Sequence, residues 1–305
     1  MYGVVTRNEE EARWPDFDRG FYEVKDVSGR SAEPVPETVS MISCFGDNAA
    51  AEENPDLVPV TPDGVCATRE RTYFDWAYVC PPHAGYRGGL LEIVADCAEV
   101  TPDVRLDDVG FPRGEYCYCD RCNERFESWV RARHDRGEGP HPAETTVEDR
   151  YEWRAERITE FVEAATDRIP GRSYLTLYPD PYDGHLYERA GLDIEALEPH
   201  VDEFVVPLYD THYGTTYWLE TIAKGFQSRL ETPFSVELYA VDVDIDNLIH
   251  ALEVAEEYGE SVLFGYDASN GRAALRRRGA DERDGVGGGA AAGRGRSGRG
   301  QNGET

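Results

Sequence analysis

The feature that most constrains this chain is the alternation of short β-branched runs with amphipathic helical patterns from residue 84 onward. Residues 104–109, 173–178, 203–208, 234–239 and 261–266 have the length and composition of buried strands. Two earlier strands are predicted at 2–6 and 39–45. Helices are predicted at 84–100, 123–133, 147–168, 194–197, 218–226 and 246–258. Leu90, Leu91, Val94 and Ala98 form the inward stripe of the first of these, and Leu248, Ile249, Leu252 and Ala255 that of the last. Strands separated by helices lie parallel, because a long crossover is needed to bring the chain back in the same direction.

The strand ends are polar or aromatic: Asp107-Asp108, Tyr178-Pro179-Asp180, Tyr209-Asp210 and Glu237. That pattern fits the C-terminal mouth of a (β/α)8 TIM barrel, where binding groups cluster. The competing architecture, a doubly wound open sheet, would carry a Gly-rich phosphate loop after a strand, and none is present. Segments 7–38 and 46–70 are polar and rich in Pro, Gly and acid, so the N-terminal part of the barrel is expected to be incomplete or elaborated. Residues 1–275 are taken as the barrel. Residues 276–305 form a Gly/Ala/Arg-rich tail with seven arginines against four acids, a composition that cannot build a core.

Charge bounds the partners. The chain has 60 acidic against 31 basic residues and a formal net charge of −29. Lysine occurs only at positions 25 and 224, so arginine supplies nearly all the positive charge. Such a surface repels itself in dilute buffer and is tolerated where salt screens it. Acid excess with lysine depletion points to a halophilic protein of haloarchaeal type. It argues against nucleic acid as a partner, since phosphate binding needs clustered Lys and Arg. No stretch approaches the roughly 18 apolar residues of a membrane helix, and no charged-then-apolar leader is seen, so a cytoplasmic protein is expected.

Cysteine placement is the second constraint. Cys80 stands in Tyr-Val-Cys-Pro-Pro, and Cys117, Cys119 and Cys122 follow at C-x-C-x-x-C spacing. Neighbours so close seldom form a disulfide, because the short loop is strained. Zn²⁺ takes four soft ligands tetrahedrally, and a tight turn presenting thiolates supplies most of a site. A structural Zn²⁺ on Cys80, Cys117, Cys119 and Cys122 is the expectation. Cys66 is the rival to Cys80, and metal-free thiols are the plain alternative. Cys44, Cys66 and Cys97 are expected to be buried as small hydrophobes.

The window 80–126 resembles the corresponding region of the family 42 β-galactosidases, within the large barrel clan of retaining glycoside hydrolases. In that family a cysteine precedes a Pro-containing Tyr-Arg helix start, matched by Cys80-Pro81-Pro82 and Tyr86-Arg87. A C-x-C-x-x-C turn then leads into a helix with Phe and Trp, matched by Phe126 and Trp129. The resemblance implies that the four cysteines hold structural zinc. It places Asp108 at the acid/base glutamate of the fourth strand and Asp107 at the neighbouring asparagine. The run 106–112, Leu-Asp-Asp-Val-Gly-Phe-Pro, is also similar to uncharacterised glycoside-hydrolase-like barrels.

The chemistry has its own logic. A retaining glycosidase needs two carboxyls ~5–5.5 Å apart, one protonated and one ionised. In this clan they end strands four and seven. Strand seven here carries Glu237, a lone acid in an apolar run, where a charge is costly without a purpose. Asp108 is therefore the expected acid/base and Glu237 the nucleophile. Asp107, Trp76, Tyr178, Tyr209, Asp210 and Tyr239 are expected to bind a carbohydrate substrate, aromatic faces stacking on sugar C–H groups. The alternative is a non-catalytic barrel that keeps the fold, the metal clip and a sugar cleft. Redox chemistry through the cysteines would need an exposed thiolate, whereas four clustered ligands imply a closed site.

Overall fold

The computed structural model describes residues 1–291, with side chains described through residue 280. Among the described residues nine strands are formed: β1 (Tyr2–Thr6), β2 (Arg19–Asp26), β3 (Gly29–Arg30), β4 (Val39–Ser43), β5 (Val104–Asp107), β6 (Ser173–Thr176), β7 (Glu203–Pro207), β8 (Phe234–Tyr239) and β9 (Ser261–Gly265). Eight of them are parallel, and β1 pairs with both β2 and β9, which closes the sheet into a barrel. β3 is a short antiparallel flap on the end of β2. The fold is a (β/α)8 TIM barrel, as the alternation predicts.

Period-two alternation builds two cores. Val5, Phe21, Val39, Met41, Tyr174, Val205 and Leu263 point inward and fill the barrel. Outward neighbours such as Val4, Ile42, Leu106, Phe204, Val236 and Phe264 pack against the helices. The helices are α1 (Asn48–Glu53), α2 (Ala84–Val100), α3 (Asp120–Arg136), α4 (Val147–Thr166), α5 (Ile194–Leu197), α6 (Tyr217–Gln227), α7 (Ile245–Tyr258) and α8 (Ala268–Ala291). Their ends obey local chemistry. Thr146 and Asp149 form a capping box on α4, and α3 stops where Gly137 turns left-handed.

The N-terminal irregularity is real and specific. No α-helix joins β1 to β2, only a 3-10 turn at Glu11–Arg13, and β2 reaches β4 through β3 and coil. The third connection is long instead. Its segment 48–78 is held down by a satellite cluster of Ala51, Val58, Ala67, Phe74 and Ala77 with Tyr116 from beyond β5.

Some expectations are corrected. β2 lies inside a segment that reads as polar, because its inward residues Glu23 and Lys25 are buried with charged partners. On α2 the buried positions are Leu90, Val94 and Cys97, with Leu91 and Ala98 only half-buried. Cys44 and Cys97 are buried as expected, but Cys66 is exposed, on the turn that bridges back to Val60. α8 carries through the first part of the segment taken as a tail, and residues 292–305 lie outside the described residues.

Candidate active site and metal centre

Asp107 and Asp108 leave β5 at the mouth of the barrel. Asp108 adopts a left-handed backbone with φ 49°, and Gly110 follows at φ 148°. Aspartate tolerates that region better than most residues. The Asp108 carboxyl meets β4, where Ser43 Oγ is 2.5 Å from Asp108 Oδ2 and 2.9 Å from the Gly46 carbonyl. A hydroxyl has one proton to give. The carbonyl can only accept. The Ser43 hydroxyl can donate to either oxygen, and its bond to Asp108 favours the carboxylate and so works against the effects that raise its pKa. Burial, and then the charge of Asp107, push Asp108 up to about 7, which agrees with a carboxylic acid near neutral pH.

A buried cation stands behind this acid. Lys25 is 3% exposed, donates to the Ser43 carbonyl at 2.7 Å and lies 3.0 Å from Asp47 Oδ2. Tyr86 OH joins Asp47 Oδ2 at 2.8 Å. The strand end that holds Ser43 is thus fixed from its rear. Gly46 is required by close approach. A Cβ there would stand 2.7 Å from Trp76 Nε1 and 2.9 Å from Asp108 Oδ2.

Glu237, inward-facing on β8, has a different setting. Its side chain is 0% exposed, and Arg105 Nη1 lies 2.5 Å from Oε2. Tyr209 OH donates to Oε1 at 2.5 Å. Arg105 also reaches Asp107 Oδ2 at 3.3 Å and donates from Nε to Thr176 Oγ1 at 3.0 Å. Burial works against the Arg105 charge, but Glu237 and then Asp107 more than offset it, so its pKa is raised. The ends of β5 and β8 are therefore connected carboxylate to guanidinium to carboxylate. Burial, with Glu237 next, pushes the Tyr209 phenol well above its ordinary value, so it stays a donor.

A pocket of about 580 Å³ opens over these groups, with Trp76, Asp107, Asp108, Tyr178 and Tyr209 in its wall. Three residues expected there are placed elsewhere. Glu237 is beneath the wall rather than in it. Asp210 is occupied in its own turn, accepting from the backbone N–H of His212 at 2.8 Å and Tyr213 at 3.3 Å. Tyr239 packs against Tyr209 with ring centroids 5.5 Å apart, and is not in the wall. Sequence reasoning also missed pocket residues. Glu23, from β2, lines the pocket in an ion pair with Arg7, and burial raises its pKa. Arg105, Ser43 and Lys25 gave one usable signal: a lysine retained in a chain that has almost none.

Three of the four expected cysteines form a common group, and Cys117 stands beside Cys80. The sulfurs of Cys80, Cys119 and Cys122 all lie within 4.8 Å of one another. Cys80 Sγ is 3.0 Å from Cys122 Sγ and 3.3 Å from Cys117 Sγ. The knuckle is braced: Cys117 takes a left-handed φ of 66°, and Arg150 Nη2 donates to its carbonyl and to Asn123 Oδ1. Cys80 N–H donates to the Leu57 carbonyl at 2.8 Å within the third connection, and Tyr118 N–H donates to the Val60 carbonyl at 2.9 Å, which ties the third connection to the fourth. This donor set suits a soft divalent ion and leaves no oxygen ligand for a hard one.

No protein-family model matches the chain. No curated protein matches it either. Among solved structures it is similar to α-L-fucosidase isoenzyme 2 from Paenibacillus thiaminolyticus, with a TM-score of 0.61 and 12% identity over 95% of this chain and 50% of that one. This chain therefore spans about half the length of the fucosidase. A chitinase from Chromobacterium violaceum gives a TM-score of 0.48 at 8% identity, over 90% of this chain and 98% of that one. An α-amylase from Lactobacillus plantarum gives 0.44 at 10% identity, over 87% and 70%. At these identities the fucosidase likeness establishes the barrel alone, and the two weaker ones carry no weight.

Proposed function

We propose that this barrel is a glycoside hydrolase acting on a carbohydrate or glycoconjugate with retention. The observation that carries the proposal is the Asp108 carboxyl: it stands in a pocket wall at the end of the fourth barrel strand, proton-bearing near neutral pH. A general acid of this kind protonates the departing glycosidic oxygen. Asp107 supports it with a neighbouring charge and by accepting the Asp108 N–H at 2.8 Å. Glu237 is the second carboxyl, kept in place by Arg105 and Tyr209. Tyr209 is 43% exposed on the pocket side, so rotation of its ring would uncover Oε1 for attack on the anomeric carbon. Trp76 and Tyr178 offer aromatic faces for the sugar.

The cysteine cluster is read as a structural Zn²⁺ site of Cys80, Cys117, Cys119 and Cys122. A four-thiolate set leaves no open position, so the metal would brace the loops around Asp108 and take no part in bond cleavage. Neutral sugars and an intracellular setting complete the reading.

A second reading rests on one observation. Glu237 is completely enclosed, which suits a barrel that binds carbohydrate without cleaving it. A panel of aryl glycosides and natural oligosaccharides in molar KCl separates the two. The hydrolase reading expects turnover that falls as pH rises above 7, together with its loss in both Asp108→Asn and Glu237→Gln. Binding without turnover by the unaltered chain establishes the second reading.

A further inference from the structure

Aromatic exposure is confined to one face of this molecule. Among the described residues, the exposed aromatic side chains are all tyrosines: Tyr73, Tyr178, Tyr182, Tyr209 and Tyr217. No phenylalanine or tryptophan joins them. Every one follows the C-terminal end of a strand: Tyr73 after β4, Tyr178 and Tyr182 after β6, Tyr209 and Tyr217 after β7. Tyr217 is the first residue of α6, and among the described residues no later helix position exposes an aromatic ring. On a surface this acidic, exposed rings following the strand ends offer apolar faces to a ligand.

Two of the five lie beyond the pocket. Tyr73, Tyr178 and Tyr209 are in its wall, whereas Tyr182, 65% exposed, and Tyr217, 78% exposed, are not. They project from neighbouring connections, since β6 and β7 are paired. Those connections are packed together. Pro181 sits so close to Gly225 of α6 that a Cβ there would be 2.6 Å from Pro181 Cγ. Asp183 is ion-paired with Arg229, just past the end of α6. The two rings therefore sit on braced connections whose neighbouring residues Tyr178 and Trp218 line the pocket.

We infer that Tyr182 and Tyr217 form an outer binding site for a neutral glycan chain whose terminal sugars enter the pocket. The substrate class is then an oligo- or polysaccharide rather than a mono- or disaccharide. Tyrosine suits this work, because it presents a rigid apolar face at low entropic cost with a hydroxyl that stays wet. The inference rests on the carbohydrate reading of the pocket and extends it outward.

The test uses the full chain in molar KCl, with Asp108→Asn as background so that bound ligand is not consumed. Cello-, xylo-, galacto-, malto- and chito-oligosaccharides of two to six units are titrated by calorimetry. Affinity for the preferred series should rise with length. Tyr182→Ala and Tyr217→Ala should each weaken binding of the longest member by about 3–10-fold, the worth of one aromatic contact, and leave the disaccharide unchanged. Phe at either position should restore the loss. Affinity independent of length, or Ala variants that bind the hexasaccharide as the parent does, would overturn the outer site and leave the pocket reading intact. Tighter binding of oligo-dT than of any glycan would likewise overturn it. A chain that binds no sugar of any length removes the pocket reading as well.

Discussion

Asp108 and Glu237 end two strands of one barrel and meet opposite conditions. Asp108 faces the Ser43 hydroxyl and the charge of Asp107, and burial together with that charge raises its pKa. Glu237 faces a guanidinium and a phenol and is sealed from solvent. Two carboxyls of one barrel thus differ in both their partners and their depth, Asp108 standing in the pocket wall and Glu237 beneath it. Arg105 pairs with Glu237 and with Asp107, the chain neighbour of Asp108, so the two settings are joined only through that neighbour.

The comparison can be broken most sharply through activity. Asp108→Asn should lower kcat by about 10³-fold, the usual worth of a positioned general acid, with little change in glycan affinity. Retained kcat would move the acid role elsewhere, to Asp107 or Glu23 among the other carboxyls in the wall. The second test is stability. Glu237→Gln should cost about 3 kcal/mol in urea unfolding, because buried Arg105 loses a buried charged partner. An unchanged midpoint would mean that Asp107 alone satisfies the guanidinium.

Asp108→Asn should move stability the other way. Its carboxyl is raised from 3.8 to about 7, so the native state holds a proton that the unfolded chain releases between those values. The stability this proton confers is complete below pH 3.8 and declines as pH rises through 7. The asparagine variant should therefore be more stable than the parent by about 2 kcal/mol at pH 8 and equal to it near pH 4. Equal curves at both pH values would show an unshifted carboxyl. Chelation sharpens the contrast again, since the cysteine knuckle follows Asp108 in sequence. Removing bound metal, or Cys80→Ser, should lower Tm and activity together, while Cys97→Ser should alter neither. Metal analysis by mass spectrometry on protein purified without chelator identifies the ion. The smallest effect belongs to Tyr209→Phe, which deletes one hydrogen bond to Glu237 and should cost about 1–2 kcal/mol.

What the sequence disclosed follows the physics of each element. Strands such as Phe234–Tyr239 and helices such as Ala84–Val100 were legible to the residue, because burial on one face writes a period into the chain. β2 was not, because Glu23 and Lys25 are buried in pairs whose partners, Arg7 and Asp47, lie far along the chain or across the sheet. Asp107 and Asp108 were legible as a strand-end pair. Ser43 was not, since a serine that shares a proton with a carboxyl looks like any other strand serine. The enclosure of Glu237 likewise depends on Arg105 and Tyr209, whose convergence only the closed barrel creates.

Lys25 gives the wall behind Asp108 a built-in reporter. The chain's other lysine, Lys224, is exposed. An amine-directed acylating reagent should therefore modify Lys224 and the N-terminus at once, and Lys25 only when the strand end carrying Ser43 swings away. Under mild labelling the Lys25 rate divided by the Lys224 rate measures how often that wall opens, a local equilibrium distinct from global unfolding. A lysine-poor surface, whatever drove its composition, makes this motion countable one side chain at a time.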